Sequence, residues 1–328
     1  MSRRRRLAAA ALTVVAVALA GCGAGGHAVT VHPVRSAGAP RPAGVKPYHP
    51  PASAAPAPPC DPRASGPRPQ GQLPPPGQMP AGSAMDRIVQ RGRLIAGVDQ
   101  NSYYFGFRNP SSGQIEGFDI DVLHEIARAI LGDPNAIQYK VVTSAERIPA
   151  LTSGQVDIVA DSMTITCDRL QQVAFSTDYF DAGQRVLVRK GSGYTGLKSL
   201  AGRKVCAAGG TTSIRTLAES ADHPVPVAVD NWTDCLIMLE QNQVEAISTD
   251  DSILIGLAAQ DPYTEMVGPR FTDEPHGLAI ARTSPELVRF VNGVLERMRA
   301  DGTWNRLYDH WLTPLGPNPG PPRAGYAD

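Results

Sequence analysis

The sequence lacks an apolar run long enough to cross a bilayer, which takes roughly 20 residues. The apolar stretch over residues 7–19 is almost uniformly Ala, Val and Leu and is too short. Four consecutive arginines precede it, and the small residues Ala20 and Gly21 follow it. A basic start, a short apolar run and a small-residue site are typical of an export signal, so we predict a signal peptide over residues 1–21 rather than a membrane helix.

Cys22 stands directly after the predicted cleavage site. This arrangement resembles the bacterial lipobox, in which the cysteine thiol is acylated, for example with palmitate, and becomes the new N-terminus. The resemblance implies a lipoprotein anchored to the extracytoplasmic face of the cell membrane. Ordinary cleavage, with Cys22 left as a free thiol, is the alternative.

The sequence also lacks the cysteine and histidine spacings of a metal site. If Cys22 carries lipid, four cysteines remain, an even number in an oxidising compartment, and disulfides are favoured over zinc. Three pairings of the four are open. We expect no metal and no other cofactor.

The body of the protein has no excess of positive charge. Residues 85–328 carry 22 basic and 30 acidic side chains, a net charge of −8, which disfavours nucleic acid as a partner. Residues 22–85 differ in composition, since they contain sixteen of the thirty prolines among Ala, Gly and Ser. Such a segment buries too little apolar surface to offset the cost of ordering, so we predict a disordered stalk.

From Met85 onward, strand-like and helix-like stretches alternate, which predicts an α/β fold with largely parallel sheets. Residues 93–98 have the composition of a buried strand. Val122, Ile126 and Ile130 recur every four residues and predict a helix over residues 118–130. Residues 244–248 are a predicted strand that ends at Thr249-Asp250-Asp251. No Gly-x-Ser-x-Gly motif occurs, so a serine hydrolase is disfavoured.

Several motifs, taken in order, resemble the bacterial extracellular solute-binding proteins of family 3. They are Gly117-Phe118-Asp119-Ile120-Asp121-Val122, Ser162-Met163-Thr164-Ile165-Thr166 with Arg169, the loop over residues 209–213, and Gly302-Thr303-Trp304. The resemblance covers residues 86–313. It is closest to the actinobacterial glutamate and glutamine binders.

The resemblance implies a two-lobed periplasmic-binding-protein fold of type II, the Venus-flytrap fold, with two hinge crossings. Lobe 1 would comprise residues 86–178 and 277–313, and lobe 2 residues 184–272. The crossings would lie near residues 179–183 and 272–276. Residues 314–328 are expected to be a disordered tail.

The same resemblance implies how the two ends of an amino acid are held. Arg169 would grip the α-carboxylate with two parallel charge-assisted hydrogen bonds, aided by Thr164. Backbone amides at Thr211 and Thr212, at a helix start, would favour the same anion. Asp250 would pair with the α-ammonium, with Ser162 completing the site and the neighbouring Asp251 as the competing choice.

The side-chain end of the site decides the substrate. Arg147 lies in a segment that resembles the one by which glutamate and aspartate binders hold the distal carboxylate. Asp99-Gln100 resembles the dipeptide at this point in actinobacterial glutamate binders. Asp99 and Asp161 add negative charge near the expected anion, or they orient the arginines, so the preference for acid or amide stays open.

The resemblance also implies a Cys206–Cys235 disulfide in lobe 2, which leaves Cys60 to pair with Cys167. The second bond would connect the end of the stalk to lobe 1.

The function expected from these observations is non-catalytic capture of glutamate, aspartate, glutamine or asparagine by a monomer. The closed form would deliver the ligand to an ABC permease or report it to a membrane sensor. The alternative is an enzyme of the cyclohexadienyl dehydratase type, for which Asp99 or Asp161 would have to serve as the general acid. A transcription regulator is excluded, because the stalk and signal stand where its DNA-binding helices would be.

Overall fold

The computed structural model describes residues 39–50 and 57–327. The predicted signal peptide and Cys22 lie outside these residues. None of the helices in the described ranges is long and apolar enough to span a membrane.

The strands follow one another in this order: β1 Lys46–Pro47, β2 Leu94–Val98, β3 Asn101–Ser102, β4 Gly106–Arg108, β5 Ile115–Glu116, β6 Ile137–Val141, β7 Ile158–Ala160, β8 Ala174–Phe175, β9 Phe180–Ala182, β10 Gln184–Arg189, β11 Lys204–Ala208, β12 Val225–Val229, β13 Ala246–Asp250, β14 Thr264–Val267, β15 Glu274–His276 and β16 Ala279–Ile280. The α-helices are α1 Ala84–Arg91, α2 Phe118–Leu131, α3 Arg147–Thr152, α4 Cys167–Leu170, α5 Thr212–Glu219, α6 Trp232–Glu240, α7 Asp251–Gln260, α8 Pro285–Ala300 and α9 Thr303–Trp311.

Two main sheets define two lobes, as predicted for the type II fold. The sheet of lobe 1 has the order β6-β2-β7-β16-β8, with β2 parallel to β6 and β7. The sheet of lobe 2 has the order β1-β12-β11-β13-β10-β14, with β11 parallel to β12 and β13. Each sheet contributes to its own core of buried apolar side chains. The parallel strands point their carboxyl ends at one edge, where ligand sites of α/β proteins lie.

The two hinge crossings are strands that pair with each other. β9 and β15 run antiparallel, with Glu274 opposite Ala182 and His276 opposite Phe180. They lie where the crossings were expected, at residues 179–183 and 272–276. Because both connections belong to one small ladder, the lobes are joined by a narrow, ordered strip of backbone.

Helix α2 forms over the predicted apolar period and carries an acidic residue into the interior. Phe118, Val122, Ile126 and Ile130 are fully buried in lobe 1. The helix is preceded by Gly117, whose φ of 134° and close approach to the carbonyl of Phe105 leave no room for a Cβ atom. Asp119, in the first turn, is also buried and lies beneath the cleft between the lobes.

Part of the segment expected to be a disordered stalk over residues 22–85 is ordered in the structure. Residues 57–83 pack along lobe 1, and we call this segment the strap. Cys60 is bonded to Cys167, Leu73 packs on the core, and Asn292 Nδ2 donates to the carbonyl of Pro67 at 2.8 Å. Prolines lower the conformational entropy of the free chain, so few contacts and one covalent bond order a segment whose composition indicated disorder.

Arg63 connects the strap to both hinge crossings. Its guanidinium lies 2.6 Å from Asp178 and 2.5 Å from Asp181 at the first crossing, and 2.7 Å from Asp273 beside the second. Upstream, β1 adds to the edge of the lobe 2 sheet by pairing with β12. The proline-rich segment therefore contacts lobe 2, the hinge and lobe 1.

The C-terminal residues also differ from the expected disordered tail. Within residues 314–327, the Tyr326 hydroxyl donates to Glu296 at 2.7 Å, and Arg299 Nε donates to the carbonyl of Pro322 at 3.0 Å. The amide of Ala327 donates to Gly66 of the strap at 2.8 Å. The tail is ordered because lobe 1 and the strap satisfy its polar groups.

Both predicted cysteine pairs are bonded in the structure. Cys206 joins β11 to Cys235 in α6, and Cys60 joins the strap to Cys167 in α4 across a sequence separation of 107 residues.

Replacing Cys60 and Cys167 together by serine is expected to lower the free energy of unfolding by about 2–4 kcal/mol, because a long loop loses its closure. Urea denaturation measures this loss. Trypsin should also cleave the Arg63–Ala64 bond faster in the variant than in the oxidised parent, because the strap is released. If neither stability nor cleavage changed, the strap would be held by its non-covalent contacts alone.

Candidate ligand-binding site

A single cavity between the lobes collects eight of the ten expected binding residues. Lobe 1 contributes Arg147, Asp161, Ser162, Thr164 and Arg169. Lobe 2 contributes Thr211, Thr212 and Asp250. The lobes are closed over this cavity, because groups of the two lobes touch across it. Arg169 Nη2 donates to the carbonyl of Gly210 at 3.2 Å, and the hydroxyls of Thr164 and Thr212 lie 3.4 Å apart.

The lobe 1 wall is a strained turn held from beneath by Asp119. Ser162 has a φ of 41°, an unfavourable value for a residue with a side chain. Its amide donates to Asp119 Oδ2 at 2.8 Å, while the Tyr179 hydroxyl donates to Asp119 Oδ1 at 2.6 Å. Burial raises the pKa of Asp119, and these hydrogen bonds oppose the rise. The aspartate of the Gly-Phe-Asp motif therefore shapes the site without lining it.

Arg169 presents a buried positive charge with no anion beside it. Helix α4 is capped by Thr166, whose hydroxyl accepts from the amide of Arg169 at 3.2 Å. The guanidinium donates only to carbonyls, to Thr164 at 2.7 Å and to Gly210, and it forms no ion pair with a carboxylate of the described chain. Burial lowers its pKa and the charge of Arg147 lowers it further, while the more distant charges of Glu274 and Asp250 oppose the fall. An anion hydrogen-bonded to the guanidinium would raise the pKa.

The start of α5 adds to the preference of this wall for an anion. Thr211 caps the helix by accepting from the amide of Ile214 at 3.2 Å. Thr212 follows at the first helical position, and its hydroxyl donates to Glu274 at 3.0 Å. The free backbone amides of a helix start carry partial positive charge, and they lie across the cavity from the lobe that holds Arg169.

Asp250, at the end of β13, presents the opposite charge. Its Oδ2 lies 2.9 Å from Nε2 of His276, a fully buried residue of β15. Its Oδ1 is buried and has no hydrogen-bond partner in the described chain. Asp251, the competing choice, accepts from Arg270 at 2.5 Å and does not line the cavity.

Arg147 and Asp161 lie together at the remaining end of the cavity, and both are almost fully buried. Arg147 Nε donates to the carbonyl of Ser144 at 3.0 Å, and Nη1 donates to the carbonyl of Asp161 at 2.9 Å. The Asp161 carboxylate is 3.6 Å from Arg147 Nε. Burial raises the pKa of Asp161 well above its usual range, against the opposing effect of Arg147.

The comparisons with known proteins agree with this architecture. The profile of the bacterial extracellular solute-binding proteins, family 3, matches residues 94–314. The chain belongs to this family.

Two kinds of relative support the assignment. The ABC transporter glutamine-binding protein GlnH of Bacillus subtilis (strain 168) is 39% identical over 226 residues, which cover 69% of this chain and 83% of the relative. Two structures of an ancestral arginine-binding protein, one bound to arginine and one to glutamine, each have a TM-score of 0.63 at 34% identity. They cover 68% of this chain and 99% and 98% of theirs.

In this solute-binding protein, Asp99 and Gln100 do not line the cavity. Asp99 closes the turn after β2, where it accepts from the amides of Gln100 and Asn101 at 2.6 and 3.0 Å and from the Ser102 hydroxyl at 2.6 Å. The Gln100 side chain accepts from the exposed Arg108. The structure therefore differs from the expectation of direct contact, because the local turn satisfies both residues. Asp99, one of the two general acids considered for an enzyme, lies outside the cavity.

Sequence reasoning missed several residues of the cavity wall: Ser144, Ser213, Trp232, Thr249 and Ile253. It placed His276 at a hinge crossing and gave it no role. These residues carry no local signal, because distant segments bring them to the site only when the chain folds and the lobes meet.

Replacing Asp119 by alanine is expected to lower the free energy of unfolding by at least about 2 kcal/mol, because the Tyr179 hydroxyl and the Ser162 amide lose their buried acceptor. Urea denaturation without ligand gives the value. Asp133→Ala, at an exposed turn, is the matched control and should change stability by less than about 1 kcal/mol. Equal losses in the two variants would contradict the role given to Asp119.

Proposed function

We propose that this chain is a membrane-anchored extracytoplasmic receptor for glutamate, aspartate, glutamine or asparagine. The observation that carries the proposal is the placement of Arg169 and Asp250 in one closed cavity, on opposite lobes. Within residues 39–50 and 57–327, Arg169 forms no ion pair with a carboxylate, and one buried oxygen of Asp250 has no hydrogen-bond donor. The α-carboxylate and α-ammonium of one amino acid would satisfy both.

The geometry supports binding by closure. Each end of the zwitterion meets a charge carried by a different lobe, so a bound amino acid stabilises the closed form relative to the open one. Arg169 can form two parallel bonds to a carboxylate, and the amides at Thr211 and Thr212 add donors. His276 holds one oxygen of Asp250 and leaves the other for the ammonium.

The presence of Arg147 in the cavity favours a ligand whose side chain ends in hydrogen-bond acceptors. A distal carboxylate or an amide carbonyl would accept from its guanidinium, whereas a cationic side chain would meet a like charge. Relatives named for glutamine agree with this choice. The ancestral scaffold holds either arginine or glutamine, and Arg147 is the feature of this chain that disfavours arginine.

The route of the captured ligand follows from the family and from the start of the sequence. Solute-binding proteins of this family serve ABC transporters, so the closed form would be recognised by a permease or by a membrane sensor that detects occupancy. A lipid on Cys22 would keep the protein at the membrane, and a single chain contains the whole site.

Cys22→Ala should therefore release the protein into the medium or soluble fraction, whereas retention in the membrane fraction would argue against lipidation.

A thermal-shift screen across the twenty amino acids tests the ligand class directly, because a ligand that binds the folded form raises the melting temperature. The four proposed amino acids should stabilise the protein, and calorimetry should show one site per chain. A shift with arginine or lysine alone would overturn the assignment of Arg147.

Arg169→Ala should weaken binding of the best ligand at least about 100-fold, or about 2.7 kcal/mol, because the α-carboxylate loses its buried counter-charge. Isothermal calorimetry measures the change. The exposed Arg282 lies outside the cavity and donates to the carbonyl of Gln171, so Arg282→Ala is the control and should leave affinity unchanged. Tight binding by the Arg169 variant would remove this residue from the site.

A further inference from the structure

The carboxylate of Asp161 is an unusual feature of the cavity, because it is buried and incompletely satisfied. Its Oδ2 accepts no hydrogen bond in the described chain. The nearest cation is Arg147, whose Nε lies 3.6 Å from Asp161 Oδ2. The guanidinium of Arg147 donates two hydrogen bonds to backbone carbonyls, those of Ser144 and of Asp161 itself. The contact is a long ion pair rather than a bidentate one, so it stabilises the charged carboxylate only in part.

The charged groups around Asp161 oppose one another. Arg147 of α3 and Arg169 of α4 favour its ionised form, while Asp99 after β2 and Asp119 in α2 disfavour it. Asp250 faces the same cavity from lobe 2. Burial, the largest influence, favours the neutral acid and raises the pKa of Asp161. A small change in the charge near Arg147 can therefore decide whether Asp161 holds a proton.

Binding of an acidic ligand would change the charge near Arg147 in this way. A distal carboxylate, as in glutamate or aspartate, would engage Arg147 and place a second anion next to Asp161 in a closed, low-dielectric site. Two carboxylates this close do not both ionise readily. An amide, as in glutamine or asparagine, brings no charge and leaves the Arg147–Asp161 pair intact.

We propose that Asp161 is a specificity-determining residue that takes up one proton when an acidic amino acid binds and takes up none when the matching amide binds. The inference rests on the proposed function, since it assumes that Arg147 meets the end of the ligand side chain. The proton comes from solvent and adds to the Asp161 carboxylate, and no bond of the ligand forms or breaks. The protonated acid can then donate to the ligand's distal carboxylate.

The proposal gives the sign of the pH dependence. Because acid binding consumes a proton, affinity for glutamate or aspartate falls as pH rises above the pKa of Asp161 in the ligand-free protein, by up to about tenfold per pH unit. Below that pKa the proton is already present and affinity is constant. Affinity for the amides does not fall with rising pH through Asp161. Preference therefore shifts from acid to amide as pH rises.

Calorimetry on the full chain tests this with glutamate and glutamine, and with aspartate and asparagine, as matched pairs. Titrations between about pH 6 and about pH 8, in phosphate and in Tris, separate the buffer's ionisation heat from the heat of binding. We expect proton uptake to rise towards about one per acidic ligand at the upper end of this range, and almost none for an amide. Asp161→Asn should abolish the uptake and flatten the pH profile for acids. Asp133→Asn, at an exposed turn, should retain both.

Equal proton uptake with acid and amide, or uptake unchanged in Asp161→Asn, would overturn the proposal while leaving the receptor function intact. Failure of all four amino acids to bind would instead overturn the proposed function. If Asp161→Asn did not fold, the buffer dependence of the parent protein would decide. If only acids bound, a flat pH profile without uptake throughout the range would count against the proposal.

Discussion

The structure depends on two opposite charges that are buried on different lobes and face one cavity. Among the residues that the structure describes, Arg169 donates to two neutral carbonyls, and one oxygen of Asp250 has no donor. Desolvating such charged groups costs free energy, which a hydrogen-bonded counter-charge offsets. Under the proposed function, a zwitterion between them would supply a hydrogen-bonded counter-charge to each. Closure and binding would then be one event in energetic terms.

Residues behind the cavity position those that line it. Asp119 holds the strained turn at Ser162, and His276 holds Asp250. His276 belongs to a hinge strand, and its backbone also bridges to Thr164 in the lobe 1 wall. His276 thus connects the lobe 1 wall of the cavity to Asp250 in lobe 2. The positions of Thr164 and Asp250 are therefore coupled to the arrangement of the hinge strands by hydrogen bonds.

The strap adds a third connection to the two hinge strands. Cys60 attaches it to Cys167 in α4, two residues before Arg169. Arg63 contacts carboxylates at both crossings. β1, further upstream, belongs to the lobe 2 sheet. The proline-rich segment is therefore attached to lobe 1, to lobe 2 and to the strands that join them.

The sequence alone determined what depends on local pattern: the α/β alternation, the apolar face of α2, and charged residues such as Arg169 and Asp250 that the structure brings to one cavity. Those features are encoded in periodicity and in chemically demanding residues such as Arg169 and Asp250. Only the tertiary structure decided that residues 57–83 are ordered, that Asp99 closes a turn outside the cavity, that Trp232 lines the cavity and that His276 holds Asp250. Each of these outcomes depends on contacts between residues far apart in the chain, whose energies no local composition records.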